Sequence, residues 1–110
     1  MNFDEYQLRT ADTAVYPEAG EGNFLYPTLG LCGEAGEVAE NVKKTLRDDG
    51  GFLTADRQAR LEKELGDVLW YVSQLATEIG VPLGDIAEAN LEKLASRKQR
   101  GVLHGSGSGR

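Results

Sequence analysis

The chain has 110 residues, of which 40% are hydrophobic and 27% charged, a composition typical of one small globular domain. Its formal net charge of −6 argues against nucleic-acid or anionic-membrane partners, which are bound by basic surfaces. No apolar run approaches the roughly 18 residues of a membrane span, and the first residues lack the apolar core of a secretion signal. The single cysteine cannot form an internal disulfide. We therefore expect a cytoplasmic protein without a membrane or nucleic-acid partner.

The first predicted helix lies within residues 2–15, where Asn2 and Glu5 have the spacing of a capping box. Residues 16–27, YPEAGEGNFLYP, contain two prolines and two glycines and therefore predict a loop. The second predicted helix covers about residues 28–47. Its apolar residues recur at helical spacing and predict a core-facing stripe made of Leu31, Ala35, Val38, Val42 and Leu46.

The third predicted helix follows the turn RDDGG, with Thr54 as its N-cap, and covers about residues 55–79. Gly80 ends this helix, and Pro82 suits the first turn of a fourth helix that runs to about residue 99. Both helices carry apolar stripes that predict core positions. These stripes are Leu61, Leu65, Val68, Val72, Leu75 and Ile79 in the third helix, and Leu83, Ala87, Leu91 and Leu94 in the fourth.

No stretch of useful length shows the alternation of polar and apolar residues that is typical of a β-strand. The sequence therefore predicts an all-α protein whose protomer resembles a four-helix bundle. We expect one domain over residues 1–101 and a flexible glycine-rich tail over residues 102–110. The tail is either a bare linker or a segment whose backbone amides and Arg110 close over phosphates.

Residues 31–42 and 61–72 repeat one pattern, L-x-x-E-x-G-acid-V-x-x-x-V, at an offset of thirty residues. At about 100° per residue, each copy places an apolar stripe on one face of a helix and two carboxylates on the flank of that face. The connection between the two helices is short, so we expect antiparallel neighbours whose acidic flanks converge across one groove. The four converging acids are Glu34, Glu37, Glu64 and Asp67.

The four acids have two interpretations. A single E-x-x-E pair is typical of a solvated helix face, and such a face would suit a non-catalytic helical interaction module. Two pairs in the same phase, each beside an apolar stripe, repel one another unless cations neutralise them. Sites made only of oxygen ligands suit hard divalent cations, above all Mg²⁺. The repeated pattern therefore favours a Mg²⁺ site, in which Mn²⁺ could substitute.

The segments GEAGEVAENVKK and EKELGDVLWYV resemble the MazG-type, all-α nucleoside triphosphate pyrophosphohydrolases, whose motif is E-E-x-x-E, a spacer and E-x-x-D. The resemblance covers about residues 26–101. It implies a helical bundle that forms homo-oligomers (dimers or dimers of dimers) and Mg²⁺ bound by the four acids.

The resemblance also implies hydrolysis of a nucleoside triphosphate to its monophosphate and pyrophosphate, for nucleotide housecleaning or control of deoxynucleotide pools. Phosphoribosyl-ATP pyrophosphohydrolase, which resembles the same superfamily, is the enzymatic alternative. Gly33 departs from the motif, because it stands where the first glutamate belongs. This departure predicts fewer metal ions, or a different water-activating residue, than in the fullest family members.

Substrate contacts are expected from the fourth helix, which carries Asn90, Lys93 and Arg97 along one flank. An enzyme that cuts a polyphosphate needs cations opposite its metals, and similar positions contact the substrate in MazG-like proteins. Cations near a helix C-terminus are also favoured by the helix dipole alone, so a structural role stays open. Lys43 and Lys44, at the end of the second helix, have the same two interpretations.

The aromatic residues of the third helix have different predicted places. Tyr71 shares the acidic flank and is expected to line the substrate pocket. Trp70 falls opposite the core stripe, and together with Leu69 it predicts an association surface for a homo-oligomer. Phe24 and Tyr26 precede the second helix, where they either cover a base or only pack against neighbouring side chains.

Overall fold

The computed structural model describes residues 1–102 of the chain. Within these residues there are four α-helices, one short 3-10 turn and no β-strand. The helices are α1 (Phe3–Thr10), α2 (Leu25–Asp48), α3 (Ala55–Glu78) and α4 (Leu83–Gln99), and the 3-10 turn is Ala11–Thr13. The prediction of an all-α protein is confirmed. Most of the predicted tail, including Arg110 and its suggested phosphate contact, lies outside the described residues.

Local sequence signals place three of the helix ends close to their predicted positions. Asn2 caps α1, because its side chain accepts a hydrogen bond of 2.8 Å from the backbone N–H of Glu5. Thr54 caps α3 in the same way, through a hydrogen bond of 3.2 Å from the N–H of Arg57. Gly80 follows α3 with a φ of 75°, the left-handed conformation that commonly ends a helix.

Helix α2 begins before the predicted residue 28, at Leu25. The side chain of Asn23 accepts a hydrogen bond of 3.2 Å from the N–H of Tyr26, which satisfies one of the free donors of the first turn. Pro27 fits this turn, because it has no backbone N–H to leave unpaired. Pro27, which predicted a loop in the sequence, therefore lies inside a helix.

Helices α2 and α3 form an antiparallel hairpin, which is the largest interface of the protomer. Gly30 near the start of α2 lies against Tyr71 of α3. Near the other end of α2, the side-chain amide of Asn41 donates a hydrogen bond of 3.2 Å to the carbonyl of Arg57. Arg57 also forms an ion pair of 2.8 Å with Asp49, which closes the connection between the two helices. The predicted antiparallel pairing is confirmed.

The predicted apolar stripe of α2 is wrong in its second half. Asn41 and Thr45 are buried, whereas the exposed fractions of Val42 and Leu46 are 44% and 67%. The physical reason is that α3 covers the side of α2 that carries Asn41 and Thr45, so the apolar side faces outward. Other residues predicted to be in the core are exposed as well, namely Ala35, Leu65, Ile79, Leu91 and Leu94.

Helix α1 holds the start of α4 through two side chains. Gln7 donates a hydrogen bond of 3.0 Å to the carbonyl of Val81 and accepts one of 2.7 Å from the N–H of Leu83. Asp4 accepts a hydrogen bond of 2.9 Å from the N–H of Gly84. These two side chains satisfy N–H groups of the first turn of α4, whose N-cap residue makes no side-chain hydrogen bond. Helix α4 is therefore attached to α1 by its N-terminal turn.

The loop between the 3-10 turn and α2 is held by the buried carboxylate of Glu78. Glu78 accepts hydrogen bonds from the hydroxyl of Tyr16 and from the N–H groups of Gly20 and Gly22, the last two at 2.9 Å. Gly20 and Gly22 have φ values of 80° and 88°, which glycine adopts without strain. We call these four residues the Glu78 anchor. Burial alone would raise the pKa of Glu78, but its hydrogen bonds to Tyr16 and to the loop backbone together lower it.

The Glu78 anchor makes the stability of the protein depend on pH. Because the folded-state pKa of Glu78 lies below its ordinary value of 4.5, the folded protein binds the proton less tightly than the unfolded chain. The stabilisation is fully present above pH 4.5 and is lost as the pH falls through the folded-state pKa. We expect Glu78→Gln to lower the free energy of unfolding by about 2 kcal/mol at neutral pH and by less at about pH 4.

Urea unfolding at several pH values measures this difference. The matched control is Glu21→Gln, which removes an exposed carboxylate from the same loop. If the free energy of unfolding of Glu78→Gln is lower than that of the wild type by the same amount at every pH, the prediction is contradicted.

Candidate functional site

The four acids of the repeated pattern lie together between α2 and α3. Glu34 is half-buried, and its pKa is raised first by burial and then by the negative charges of Asp67, Glu37 and Glu64. Since the three other carboxylates all act on Glu34, the four form one electrostatic group, which we call the acidic cluster. The role of these residues in catalysis or metal binding stays a prediction.

One oxygen of the acidic cluster has no hydrogen-bond partner among the described residues. This atom is Oε2 of Glu64, which is buried. Leaving a buried acceptor unpaired costs roughly 1–3 kcal/mol, and more for a charged group. A cation bound at the cluster would offset this cost and would also relieve the repulsion around Glu34.

The donor chemistry of the acidic cluster fits a hard divalent cation. The cluster offers carboxylate oxygens without nitrogen or sulfur, and both its repulsion and its unpartnered oxygen favour a positive ion. In the described part of the chain, however, no three His, Cys, Asp or Glu side chains are already arranged to hold a metal ion. The case for a divalent ion at this cluster therefore rests on the chemistry of its donors.

A cavity of about 300 Å³ opens beside the acidic cluster, and it is lined by Thr13, Glu34, Asp67, Trp70 and Tyr71. The rings of Trp70 and Tyr71 pack edge to face with their centroids 5.1 Å apart. The indole N–H of Trp70 donates a hydrogen bond of 2.9 Å to the hydroxyl of Thr13. The cavity thus has one acidic side and one aromatic side, and its volume lies at the lower end of small-molecule sites.

The position of Tyr71 depends on Gly30, which sequence reasoning missed. A Cβ atom added at Gly30 would lie 2.2 Å from Cε1 and 2.4 Å from Cζ of Tyr71, so the ring rests on the bare backbone of α2. Burial, followed by the charges of Tyr26, Glu34 and Asp67, raises the pKa of Tyr71. The available signal was a glycine inside a helix, where it costs about 1 kcal/mol relative to alanine and often marks a close approach.

Trp70 is half-buried, and its place in an association surface stays a prediction. Trp70 packs inside its own protomer, where its ring also meets Tyr16 edge to face at 6.4 Å and 83°. The loop before α2 folds back over this side of α3. The helical phase of α3 alone cannot show this cover, because it contains no information on where the loop goes.

Tyr6 of α1 is a second residue that sequence reasoning missed. Its pKa is raised first by burial and then by the negative charge of Asp67, which places it near the acidic cluster. Tyr6 borders a second cavity of about 310 Å³, together with Met1, Asn2, Phe3 and Leu69. The sequence of α1 gave no signal for this proximity, because the crossing of α1 over α3 is a tertiary feature.

Of the predicted substrate residues, Tyr71 lines the cavity beside the acidic cluster, and the four others lie elsewhere. Asn90 and Lys93 are exposed on α4, and Arg97 is buried near the end of that helix. Lys44 lies 3.9 Å from the carboxylate of Glu40, with which it forms an ion pair. Within the described part of the chain, none of these four residues lines the cavity beside the acidic cluster. Their contact with substrate therefore stays a prediction.

Comparisons with known proteins identify the family of the chain. Residues 26–102 match the family model of the MazG nucleotide pyrophosphohydrolase domain. The Gene 37 protein of Mycobacterium phage L5 is 50% identical over 114 aligned residues, which cover 100% of both chains. The uncharacterized protein YvdC of Bacillus subtilis (strain 168) is 35% identical over 72 residues, or 61% of this chain and 68% of YvdC. No solved structure matches the chain significantly.

The chain belongs to the MazG nucleotide pyrophosphohydrolase family, and it is a hydrolase that acts on nucleotide pyrophosphate bonds. The family resemblance predicted from the sequence is confirmed. The interpretation as a non-catalytic helical module is not supported. No helix within residues 1–102 is both long and apolar enough to cross a membrane.

The packing of Tyr71 on Gly30 predicts the effect of a single methyl group. Gly30→Ala should displace the Tyr71 ring from the cavity wall, because the new Cβ atom would overlap it. We expect kcat/KM for pyrophosphate release to fall by about tenfold or more, the size of effect expected when a substrate-positioning group shifts by about 1 Å. Helix content should stay unchanged, because alanine favours the helical conformation.

Steady-state kinetics and far-UV circular dichroism measure these two effects. The control is Gly36→Ala on the same helix, since a Cβ atom at Gly36 has no heavy atom within 4 Å. Equal activity of Gly30→Ala and Gly36→Ala would contradict a role for the Gly30–Tyr71 contact.

Proposed function

We propose that the chain hydrolyses a nucleoside or deoxynucleoside triphosphate to its monophosphate and pyrophosphate, and that the reaction requires Mg²⁺. The observation that carries the proposal is the acidic cluster around Glu34 beside an aromatic-walled cavity. A nucleotide has the matching two parts, because its phosphates need a cation-loaded site and its base needs an apolar or aromatic surface. Housecleaning of nucleotides or control of nucleotide pools is the role that we propose for this activity.

The metal would be held by the acidic cluster, through carboxylates of Glu34, Glu37, Glu64 and Asp67. When bound, Mg²⁺ neutralises phosphate charge and lowers the pKa of water, and Mn²⁺ could supply the same chemistry. The unpartnered oxygen of Glu64 supports this assignment, because a buried carboxylate oxygen without a donor is costly unless a cation binds it.

A carboxylate of the cluster would also accept the proton of the attacking water. Water forms a bond to the α-phosphorus, the bond from that phosphorus to the bridging oxygen breaks, and pyrophosphate leaves. Glu34 and Glu37 are the candidates for the base.

The aromatic side of the cavity would receive the nucleobase of the substrate. Trp70 and Tyr71 present ring surface to the same cavity that Glu34 and Asp67 line. Their edge-to-face packing and the hydrogen bond from Trp70 to Thr13 hold this wall in place before a substrate arrives. Such preorganisation reduces the entropy lost on binding.

Neutral replacements in the acidic cluster test the proposed function. Glu37→Gln and Asp67→Asn keep the shape of the side chains but remove the charge that a metal needs, so pyrophosphate release should fall at least about 100-fold while the protein stays folded. Mg²⁺ should raise the melting temperature of the wild type and have a smaller effect on both variants, because a ligand selective for the folded state stabilises it.

A coupled assay of pyrophosphate measures the activity with canonical and modified nucleotides, in Mg²⁺ and in a chelator. Scanning calorimetry measures the shift in melting temperature. The control is Glu62→Gln, an exposed carboxylate of α3. Wild-type turnover in either cluster variant would exclude that residue from the site, and release of orthophosphate would contradict the scissile bond. Including phosphoribosyl-ATP separates the proposal from its superfamily alternative.

We also propose that the protein works as a homo-oligomer, with a dimer or a dimer of dimers as the expected forms. The outward apolar residues of the three longest helices support this proposal, among them Val42, Leu65 and Leu91. A second copy of the chain would remove such apolar side chains from water. A two-fold pairing of the α2–α3 hairpin is the simplest arrangement that would cover it.

Leu65→Glu tests this association surface, because Leu65 lies on α3 with an exposed fraction of 52% and would place a charge in the interface. We expect light scattering to show a mass shifted toward the monomer, since an unpaired buried charge costs several kcal/mol, on the order of 3–5 kcal/mol. The control is Gln58→Glu, which adds the same side chain at an exposed polar position of α3. A wild type that scatters as a fully active monomer at micromolar concentration would contradict the proposal.

A further inference from the structure

We propose that Glu78 is a positioning residue of this hydrolase, which fixes the aromatic wall of the substrate cavity through Tyr16. The inference rests on the proposed function in one respect, namely that the cavity beside the acidic cluster receives the nucleotide. Glu78 itself does not line that cavity. Its effect would pass through three successive side-chain contacts.

Glu78 is too far along α3 to belong to the acidic cluster. Asp67, the last acid of the cluster, precedes Glu78 by three helical turns, which is about 16 Å along an α-helix. The carboxylate of Glu78 is already satisfied by the donors of the Glu78 anchor. It is therefore unsuited to a second role as a metal ligand.

The first of these three contacts fixes Tyr16. Its hydroxyl donates a hydrogen bond to Glu78 and accepts one of 3.0 Å from the side-chain amide of Gln74. Gln74 is held in turn by the hydroxyl of Thr10, which lies 2.8 Å from its Oε1 atom. All four residues are buried, so the position of the Tyr16 ring is determined by groups that solvent does not reach.

The next contacts transmit that position to the cavity. The ring of Tyr16 stacks on Tyr26 with centroids 4.6 Å apart and an interplanar angle of 9°. It also meets Trp70 edge to face, and Trp70 meets Tyr71 in the same manner. Because Trp70 and Tyr71 form the aromatic side of the cavity, a displacement of Tyr16 removes the support behind that side.

The negative charge of Glu78 is what allows the anchor to form. The carboxylate meets only donors, namely a hydroxyl and backbone N–H groups. A glutamine at this position has the same shape, but its NH₂ group would face one or more of these donors and leave them unpaired. Glu78→Gln should therefore release the loop that carries Tyr16 without changing the acidic cluster.

Steady-state kinetics test the consequence for substrate binding. With dATP, dCTP, dGTP and dTTP assayed separately in Mg²⁺, Glu78→Gln should raise KM by about tenfold and change kcat by less than about threefold. The reason is that the aromatic wall contacts the substrate equally in the ground and transition states, while the acids that act on the phosphate are unchanged. Glu21→Gln in the same loop should keep wild-type constants.

The fluorescence of Trp70 tests the structural step independently of turnover. Trp70 is the only tryptophan of the chain, so the emission reports on the cavity wall alone. We expect Glu78→Gln to shift the emission maximum to longer wavelength and to increase quenching by acrylamide. Tyr16→Phe, which removes only the hydroxyl that binds Glu78, should change both KM and emission in the same direction by a smaller amount.

The outcomes separate this proposal from the proposed function. A folded Glu78→Gln protein with wild-type KM and wild-type quenching would overturn the positioning role. If Glu78→Gln does not fold, the same two measurements on Tyr16→Phe decide, and wild-type values would overturn the proposal. A wild type that releases no pyrophosphate would contradict the proposed function, whereas a changed Trp70 emission in the variants would still support the control of the cavity wall by Glu78.

Discussion

The stability of this protein depends on whether its buried or half-buried carboxylates have hydrogen-bond donors. Glu78 near the end of α3 is surrounded by donors, and its lowered pKa shows that these donors outweigh the effect of burial. Glu34 and Glu64 lie among other acids. The pKa of Glu34 is raised, and the buried Oε2 atom of Glu64 has no hydrogen-bond partner in the described structure. The first arrangement stabilises the fold, and the second destabilises it unless a cation binds. Such a division is common where function opposes stability.

Polar side chains occupy much of the buried surface of α2 and α3, namely Asn41 and Thr45 of α2 and Ser73 and Gln74 of α3. Asn41 joins the two helices through its hydrogen bond to the carbonyl of Arg57, whereas Ser73 and Gln74 bond Thr10 of α1. The interior that polar residues occupy is not available to the apolar stripe. Val42 and Leu46 of α2 therefore point outward, and their burial against a second copy is part of the proposed association.

Local features of this fold could be predicted from the sequence, and features that depend on tertiary packing could not. The caps at Asn2 and Thr54 follow from short-range hydrogen bonds, and the grouping of the four acids follows from helical periodicity and a short connection. The buried face of α2 was predicted wrongly, because a helical wheel assumes that apolar residues face the interior of their own protomer. The loop contact of Trp70 could not be predicted either, because that loop is held by Glu78, more than fifty residues further along the chain than the loop.

The two sides of the cavity consequently rest on different kinds of structure. The acidic side comes from two long helices locked together by Gly30, Asn41 and Arg57, so its carboxylates stay close to one another as long as the hairpin is folded. The aromatic side is also carried by α3, but its Trp70 is packed against Tyr16 of a loop without regular structure, which Glu78 binds. Because that loop contacts the aromatic side and the acidic cluster lies between the two helices, the groups proposed to act on phosphate and those proposed to receive the nucleobase have different supports. Under this proposal, substitutions around Tyr16 would alter the fit to the nucleobase while the acidic cluster is retained.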